Sequence, residues 1–348
     1  MAGVVIKGLD HVQVSANWMA ASGDPKQDFA LRNGVEALSK ISVDLDVSIP
    51  VGKDSLSMKT KWNEEKTEDE VTSPLSGIIS AMAPVEDISH SVTPELNVDE
   101  DSVILVIKIN QKNRLAGSIF SEVTESKYTE TPDIDDVKLF KSLFNHIQKL
   151  IKDSKILAMH DISDGGLVTA LAEMCFTKKV GMSIQVDDID NLNKTLFSEE
   201  IGFVIQVKSD DLDMVKSSLN TINIYVEEVA TIVEESFSIL CKEKEVFSES
   251  ITVLERYWRE TSHAIQSIRD NKKIADSELN LLDNKNYHGL NSNVSFDENQ
   301  IKNLLIKGTK PKVAILREQG VNGQNEMAAA FTIAGFEAFD VHLSLIHI

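Results

Sequence analysis

An apolar run, Ile156 to Met159, leads into His160-Asp161-Ile162-Ser163-Asp164-Gly165-Gly166-Leu167, and a helical pattern, Leu167 to Phe176, follows. That order reads as strand, tight turn, helix. Gly165 and Gly166 let backbone take φ > 0 or approach a ligand closely. The start of the new helix offers free N–H groups and a positive dipole end, a natural home for phosphate. Asp161 and Asp164 would repel a bare phosphate, so two carboxylates there make sense if a hard cation such as Mg²⁺ bridges them to it. The same residue types also build plain capping turns, in which Asp164 or Ser163 caps the helix and the glycines tighten the corner.

A second group is Pro50-Val51-Gly52-Lys53-Asp54-Ser55. Read as a loop between two strands, it offers a tight turn at Gly52, a mobile cation at Lys53 and a hydroxyl at Ser55, with Asp54 between them. That set suits a phosphate or an acidic substrate, and it equally makes an ordinary exposed polar turn. It is not a P-loop, because Val47 stands where that motif needs its first glycine, and no G-x-G-x-x-G occurs. Nucleophilic catalysis finds no support either. Cys175 and Cys241 fall in a helix pattern and a strand pattern, outside any strand-turn-helix elbow, and G-x-S-x-G is absent. His11, His90, His146, His263, His288 and His342 are scattered without metal-ligand spacing. Asn17-Trp18-Met19 reads as a packed aromatic corner.

The elements that must position these groups follow from periodicity. Residues 1 to 92 hold strand patterns at Val12–Ser15, Val47–Val51 and Leu75–Ala83 and a helix at Phe29–Ile41, with a polar, acidic loop or hairpin tip at Asn63–Glu70. In residues 93 to 235, Val103–Ile109 is an apolar strand. Val137–Ile151 puts Leu139, Phe140, Leu143, Ile147, Leu150 and Ile151 on one helical face, behind acidic Asp133, Asp135 and Asp136. The glycine turn comes next, then a strand at Ile201–Val207, a helix at Leu212–Leu219 and a strand at Tyr225–Val233. This mixture implies α/β and α+β packing. Residues 236 to 310 read as a linker carrying one long helix, Val253–Arg269, and an Asn/Asp-rich surface stretch, Asp283–Gln300. From Pro311 a new β-α-β begins: strand Lys312–Leu316, helix Glu326–Ala334, strand Phe336–His342. So short a unit cannot cover both faces of a parallel sheet, and Leu345-Ile346-His347-Ile348 reads as a truncation junction.

Composition sets limits on the class. The chain has 348 residues, 42% hydrophobic and 26% charged, enough for two or three domains. A net charge of −20 argues against nucleic acid or an anionic membrane as the main partner. Two isolated cysteines suit a reducing cytosol, and no apolar run is long enough to span a membrane.

Four motifs occur in one order: Ser15-Ala16-Asn17-Trp18-Met19-Ala20-Ala21, Pro50 to Thr60, His160 to Leu167, and Leu316-Arg317-Glu318-Gln319-Gly320-Val321-Asn322. Together they resemble the large, single-chain phosphoribosylformylglycinamidine synthases, over residues 10 to 343 and as a middle fragment. The resemblance implies two halves like aminoimidazole ribonucleotide synthetase, then a flavodoxin-like class I glutaminase domain. Residues 1–92 and 93–235 would be the two subdomains of the second half, 236–310 a linker, and 311–348 the truncated start of the glutaminase. The implied reaction uses ATP to activate the formamide oxygen of formylglycinamide ribonucleotide. Ammonia from glutamine then displaces phosphate to give the amidine, with Mg²⁺ screening the phosphate charge.

Residue by residue, the resemblance places a Mg²⁺ ligand at Asp161 and a nucleotide contact at Ser163, with Gly165 and Gly166 beside the ATP or ADP. Gly52, Lys53, Asp54 and Ser55 would lie near a phosphate or substrate. The other metal ligands, the main formylglycinamide-binding segment of the first half, and the glutaminase cysteine with its partners lie outside this chain. No catalytic residue is therefore expected within it, and the chain alone is expected to be inactive. Sheet surface left bare by the missing parts predicts poor solubility. Two other readings remain: an ATP-dependent selenophosphate- or thiamine-phosphate-type enzyme, which would lack the Lys312–Asn322 segment, and a scaffold half that binds nucleotide for structure alone.

Overall fold

The computed structural model describes residues 1–64, 67–284, 287, 289–290, 293, 295, 308–318 and 320–345. The chain divides into two compact units, Met1–Lys285 and Asn286–Ile348. Most of the Asn/Asp-rich stretch, Gln319 of the fourth motif, and residues 346–348 lie outside the described residues.

The first unit begins with a small sheet. Strand β1 (Gln13–Met19) is flanked by β2 (Ser48–Ser55), parallel to it, and β5 (Ser76–Met82), antiparallel. Helix α1 (Pro25–Leu45) makes the crossover from β1 to β2; Asp24 caps it by accepting the Lys26 and Gln27 N–H groups. Strands β3 (Lys59–Glu64) and β4 (Thr67–Thr72) form the hairpin at the acidic tip. Asn17-Trp18-Met19 belongs to β1 instead of a corner, and the Trp18 ring lies against Gly34 of α1 and Gly77 of β5.

The expected loop at Pro50–Ser55 is a strand. Ala16 pairs with Gly52, Asn17 with Lys53, Trp18 with Asp54 and Met19 with Ser55. Turn-forming residues are held extended here because the edge of β1 offers backbone partners, and strand preference is decided largely by such context.

A seven-stranded sheet dominates the rest of the unit, in the order β12-β11-β8-β10-β6-β9-β7. Its strands are β6 (Ser102–Lys108), β7 (Ala158–Asp161), β8 (Gly181–Val186), β9 (Gly202–Lys208), β10 (Tyr225–Val233), β11 (Ser236–Cys241) and β12 (Lys244–Ser250). Every pairing is antiparallel except β8 with β11. The helices α2 (Ile119–Val123), α3 (Val137–Lys152), α4 (Gly166–Phe176), α5 (Leu192–Phe197) and α6 (Leu212–Asn220) interleave with these strands. Because strand side chains alternate, the apolar run of β6 serves two cores. Ile104 and Val106 face Leu167, Leu171 and Met174 of α4, while Leu105 and Ile107 face Leu143 and Ile147 of α3 and Val215 of α6. Burying each such side chain is worth roughly 1.5–3 kcal/mol.

Asp136 caps α3, accepting the Leu139 N–H at 2.9 Å. Gln148 of α3 ties the N-terminal segment down, accepting from Ile6 N at 2.9 Å and donating to Ala2 O at 2.8 Å. The segment read as a linker from residue 236 enters the sheet: β11 and β12 form one of its margins. Phe237, Ile239 and Cys241 are buried by strand alternation, a pattern that a free linker has no use for. Helices α7 (Ile251–Arg269) and α8 (Lys272–Asn280) then return, α7 packing on α4.

In the second unit, β13 (Lys312–Arg317) and β14 (Glu337–His342) pair in parallel around α9 (Gln324–Ile333). Arg317 donates through Nε to Asp340 at 2.7 Å across the pair.

Candidate functional site

Strand β7 ends at Asp161, paired opposite Phe203 of β9, and Ile162 N–H still donates to Gly202 O at 3.0 Å. The chain then turns. Gly166 N–H donates to Ser163 O at 2.9 Å, and α4 starts behind Gly165. Both glycines have positive φ, 83° and 74°. Gly166 could carry no other side chain: a Cβ would stand 2.6 Å from the carbonyl carbon of Phe197 and 2.8 Å from the Leu196 oxygen, backbone atoms that cannot move aside cheaply. Neither Asp164 nor Ser163 caps α4; the N-cap is Gly165, without a side-chain bond.

The partner that the turn does have was not visible in the sequence. Glu199, just after α5, accepts the Gly165 N–H at 2.9 Å and the Ile119 N–H of α2 at 2.9 Å. A carboxylate from the chain itself thus sits at the start of α4, where the dipole favours negative charge. The Asp161 side chain projects into solvent, 67% exposed.

His160 is held between two acceptors. Its Nδ1 lies 2.7 Å from Asp161 O and its Nε2 2.9 Å from Glu173 Oε2 on α4. The Glu173 bond raises the His160 pKa above its ordinary value against the opposing effect of burial, and the same bond lowers that of Glu173. Trp258 of α7 donates its indole N–H to the other Glu173 oxygen at 2.6 Å. Strand end, α4 and α7 are joined through one carboxylate.

Next to the turn, Glu200 is fully buried and grips Arg114. Arg114 donates to it through Nε at 2.6 Å, Nη2 at 2.7 Å and its backbone N–H at 3.1 Å, and reaches Asp135 through Nη2 at 3.0 Å. This network clamps the 110–118 segment, and hence α2, to the chain that supplies Glu199. The 86 residues between Arg114 and Glu200 left no local signal.

The second predicted group stands apart from the first. Gly52, Lys53 and Asp54 are exposed on the edge strand β2, and Lys53 Nζ donates to Ser55 Oγ. Among the described residues no hydrogen bond or ion pair joins this strand to the Asp161–Gly166 turn. Cys175 is buried in α4, its thiol pushed up to about 12 by burial, which suits packing and not nucleophilic attack.

A Mg²⁺ ion would find two exposed carboxylates at the turn, Asp161, whose Oδ1 lies 3.6 Å from His160 Nδ1, and Asp164, and no cluster of three or more potential ligands exists among the described residues. That fits Mg²⁺ held largely by phosphates and water with one or two carboxylates, and not a cage built by this chain alone.

Residues 1–84 match the FGAR-AT PurM_N-like domain, 99–242 the C-terminal domain of AIR synthase related proteins, and 310–347 the CobB/CobQ-like glutamine amidotransferase domain, in that order. The chain belongs to the phosphoribosylformylglycinamidine synthase family. Its fold is correspondingly a mixed α/β AIR-synthase-like one, followed by a short amidotransferase segment. Thermotoga maritima PurL complexed with ADP matches at a TM-score of 0.52 and 12% identity, over 73% of this chain and 38% of that one. The same protein complexed with FGAR matches at 0.51 and 12%, over 73% and 40%. Phosphoribosylformylglycinamidine synthase II of T. maritima matches at 0.51 and 11%, over 70% and 37%. At these identities the likeness is one of fold, and the chain spans about two fifths of the synthases it resembles. No helix among the described residues is long and apolar enough to cross a membrane.

Proposed function

We propose that this chain forms part of an ATP- and glutamine-dependent ligase that converts formylglycinamide ribonucleotide to its amidine in the cytosol, in purine biosynthesis. Its division of labour would follow the family, with a synthetase-like half that runs through β11 and β12 to about residue 250, a connecting region to 310 and the amidotransferase start beyond. The observation that carries the reading is the Asp161–Gly166 turn inside an AIR-synthase-type domain, followed by an amidotransferase segment. Complexes of PurL with ADP and with FGAR support the ligand classes.

In this reading Asp161 lends one oxygen to a Mg²⁺ ion. The ion, when bound, neutralises phosphate charge and makes the transferred group easier to attack. Ser163 offers a hydroxyl and backbone to the nucleotide, and the glycines of the turn let phosphate come close. The Glu173 bond to His160, braced by Trp258, fixes the strand end that carries Asp161, so the carboxylate is pre-positioned. Glu200 and Arg114 hold the surrounding loops. Lys53 and Ser55 offer a cation and a hydroxyl to a phosphate or substrate from the edge of β2.

One observation favours the scaffold reading. Glu199 already fills the anion position at the start of α4, so this turn can serve as a self-completed corner beside a nucleotide bound for structure. Steady-state assays on a full-length chain carrying this sequence decide between the two. The ligase reading predicts that Asp161→Ala removes glutamine-dependent amidine formation while the protein stays folded, and that the 348-residue chain alone shows no turnover. Full activity in the variant would leave the turn a structural corner, and turnover by the isolated chain would refute its dependence on missing parts.

A further inference from the structure

Strands β6, β10 and β8 lie side by side, and the end of β6, the start of β10 and the end of β8 share one margin of the sheet. On the α4 side of that margin is a cavity of about 150 Å³. Its floor is apolar, with Val106, Leu167 and Ile184, and its walls are polar. Lys108, the last residue of β6, enters the wall although it is only 3% exposed. The Lys108 ammonium donates to Asn113 Oδ1 at 3.2 Å, and no carboxylate among the described residues makes an ion pair with it.

A buried charge without a counter-ion costs several kcal/mol, so an ammonium facing a cavity marks a place for an anion. The two nearby carboxylates do not fill that role. Glu200 is committed to Arg114, and Glu227 accepts the hydroxyl of Tyr225, which sits opposite Lys108 on β10. Burial holds the Lys108 pKa below its ordinary value in spite of both. Negative charge gathers elsewhere on the walls, at Glu227 and, on the exposed rim past β8, at Asp187 and Asp188. Glu227 pairs with Val106, two residues along β10 from Tyr225, so it is the diagonal neighbour of Lys108 on the same face, and such positions lie roughly 7–8 Å apart.

We propose that this cavity binds a small zwitterion, an α-amino acid, with its carboxylate on the Lys108 ammonium and its ammonium on Glu227 and the acidic rim. The cavity adjoins the Asp161 turn through Leu167, which follows Gly166, but it uses none of the turn's polar side chains, and the proposal does not depend on the ligase reading.

Calorimetry on the 348-residue chain tests it. The twenty amino acids are titrated singly, and any that binds is compared with its des-amino acid and its decarboxylated amine. At least one amino acid is expected to bind, with both single-charge analogues weaker by about tenfold or more, the value of one charge-assisted hydrogen bond. Lys108→Met, similar in length and neutral, should abolish binding without unfolding the chain, as read by circular dichroism. Glu227→Gln should weaken the amino acid but not the des-amino acid, a readout that holds even if Lys108→Met does not fold. No binding of any amino acid to the folded chain would overturn the proposal. So would equal affinity for the des-amino acid, or binding that survives in Lys108→Met.

Discussion

The carboxylate of Glu199 and the amide of Gly165, 2.9 Å apart, close the start of α4 from within the chain. A helix start is the most reusable anion site in proteins, and here the protein has placed its own anion in it. Any phosphate reaching the turn must share the site with that carboxylate or displace it.

Glu199→Ala is therefore expected to have two opposite effects. It frees the Gly165 and Ile119 amides, which costs about 1 kcal/mol and lowers the melting temperature by a few degrees. It also removes a negative charge that competes with phosphate, so affinity for Mg²⁺·ADP should rise severalfold in calorimetry. A fall in affinity would mean that Glu199 belongs to the metal site.

The Arg114–Glu200 pair makes a prediction about stability and its pH dependence. Removing one partner strands a buried charge, so Arg114→Ala should destabilise by about 3–5 kcal/mol in urea unfolding. Burial raises the Glu200 pKa, but the hydrogen bonds from Arg114 outweigh it, and the net shift is downward. A group with a lowered folded pKa contributes stability above its unfolded value, near 4.5, and loses it as pH falls through the folded value. Melting temperature should drop below about pH 4.5, and Glu200→Gln, less stable at neutral pH, should show a flatter acid limb. Parallel acid limbs in the two proteins would contradict this.

Two glycines in the predicted sites should respond oppositely to alanine. Gly166→Ala drives a Cβ into the backbone of Phe197 at positive φ, and a loss of at least ~2 kcal/mol is expected. Gly52→Ala meets nothing within 4 Å on the open edge of β2 and should fall within about 0.5 kcal/mol of the parent protein. Thermal melts of both variants check the pair; similar losses would mean that the Gly166 contact relaxes.

Much of this fold was legible because its elements repeat a local period. The two-sided apolar run of β6, the α3 face capped at Asp136, and the strand-turn-helix at Asp161 could be read from neighbouring residues alone. What stayed hidden depends on partners far along the chain. Glu199 reaches back 34 residues to Gly165, and Glu200 reaches back 86 to Arg114, with no spacing rule to announce either. Pro50–Ser55 was misread because composition suggests a turn, while the open edge of β1 imposed a strand. In residues 236–250 the strand pattern at Cys241 is legible, but the acidic, polar surroundings hide that this strand and its hairpin partner join the sheet beside β8. Lys108 did leave a signal: a lysine on the same strand face as Ile104 and Val106 is buried by alternation alone.

The proposed role of the Asp161 turn is to hold a nucleotide with the help of Mg²⁺. Its most direct test is calorimetric titration of ADP, with Mg²⁺ and with EDTA, into a full-length chain carrying this sequence and into its Asp161→Ala variant. Mg²⁺-dependent binding is expected, falling at least about tenfold in the variant with the loss of one charge-assisted contact. Binding of equal strength in both proteins would contradict it.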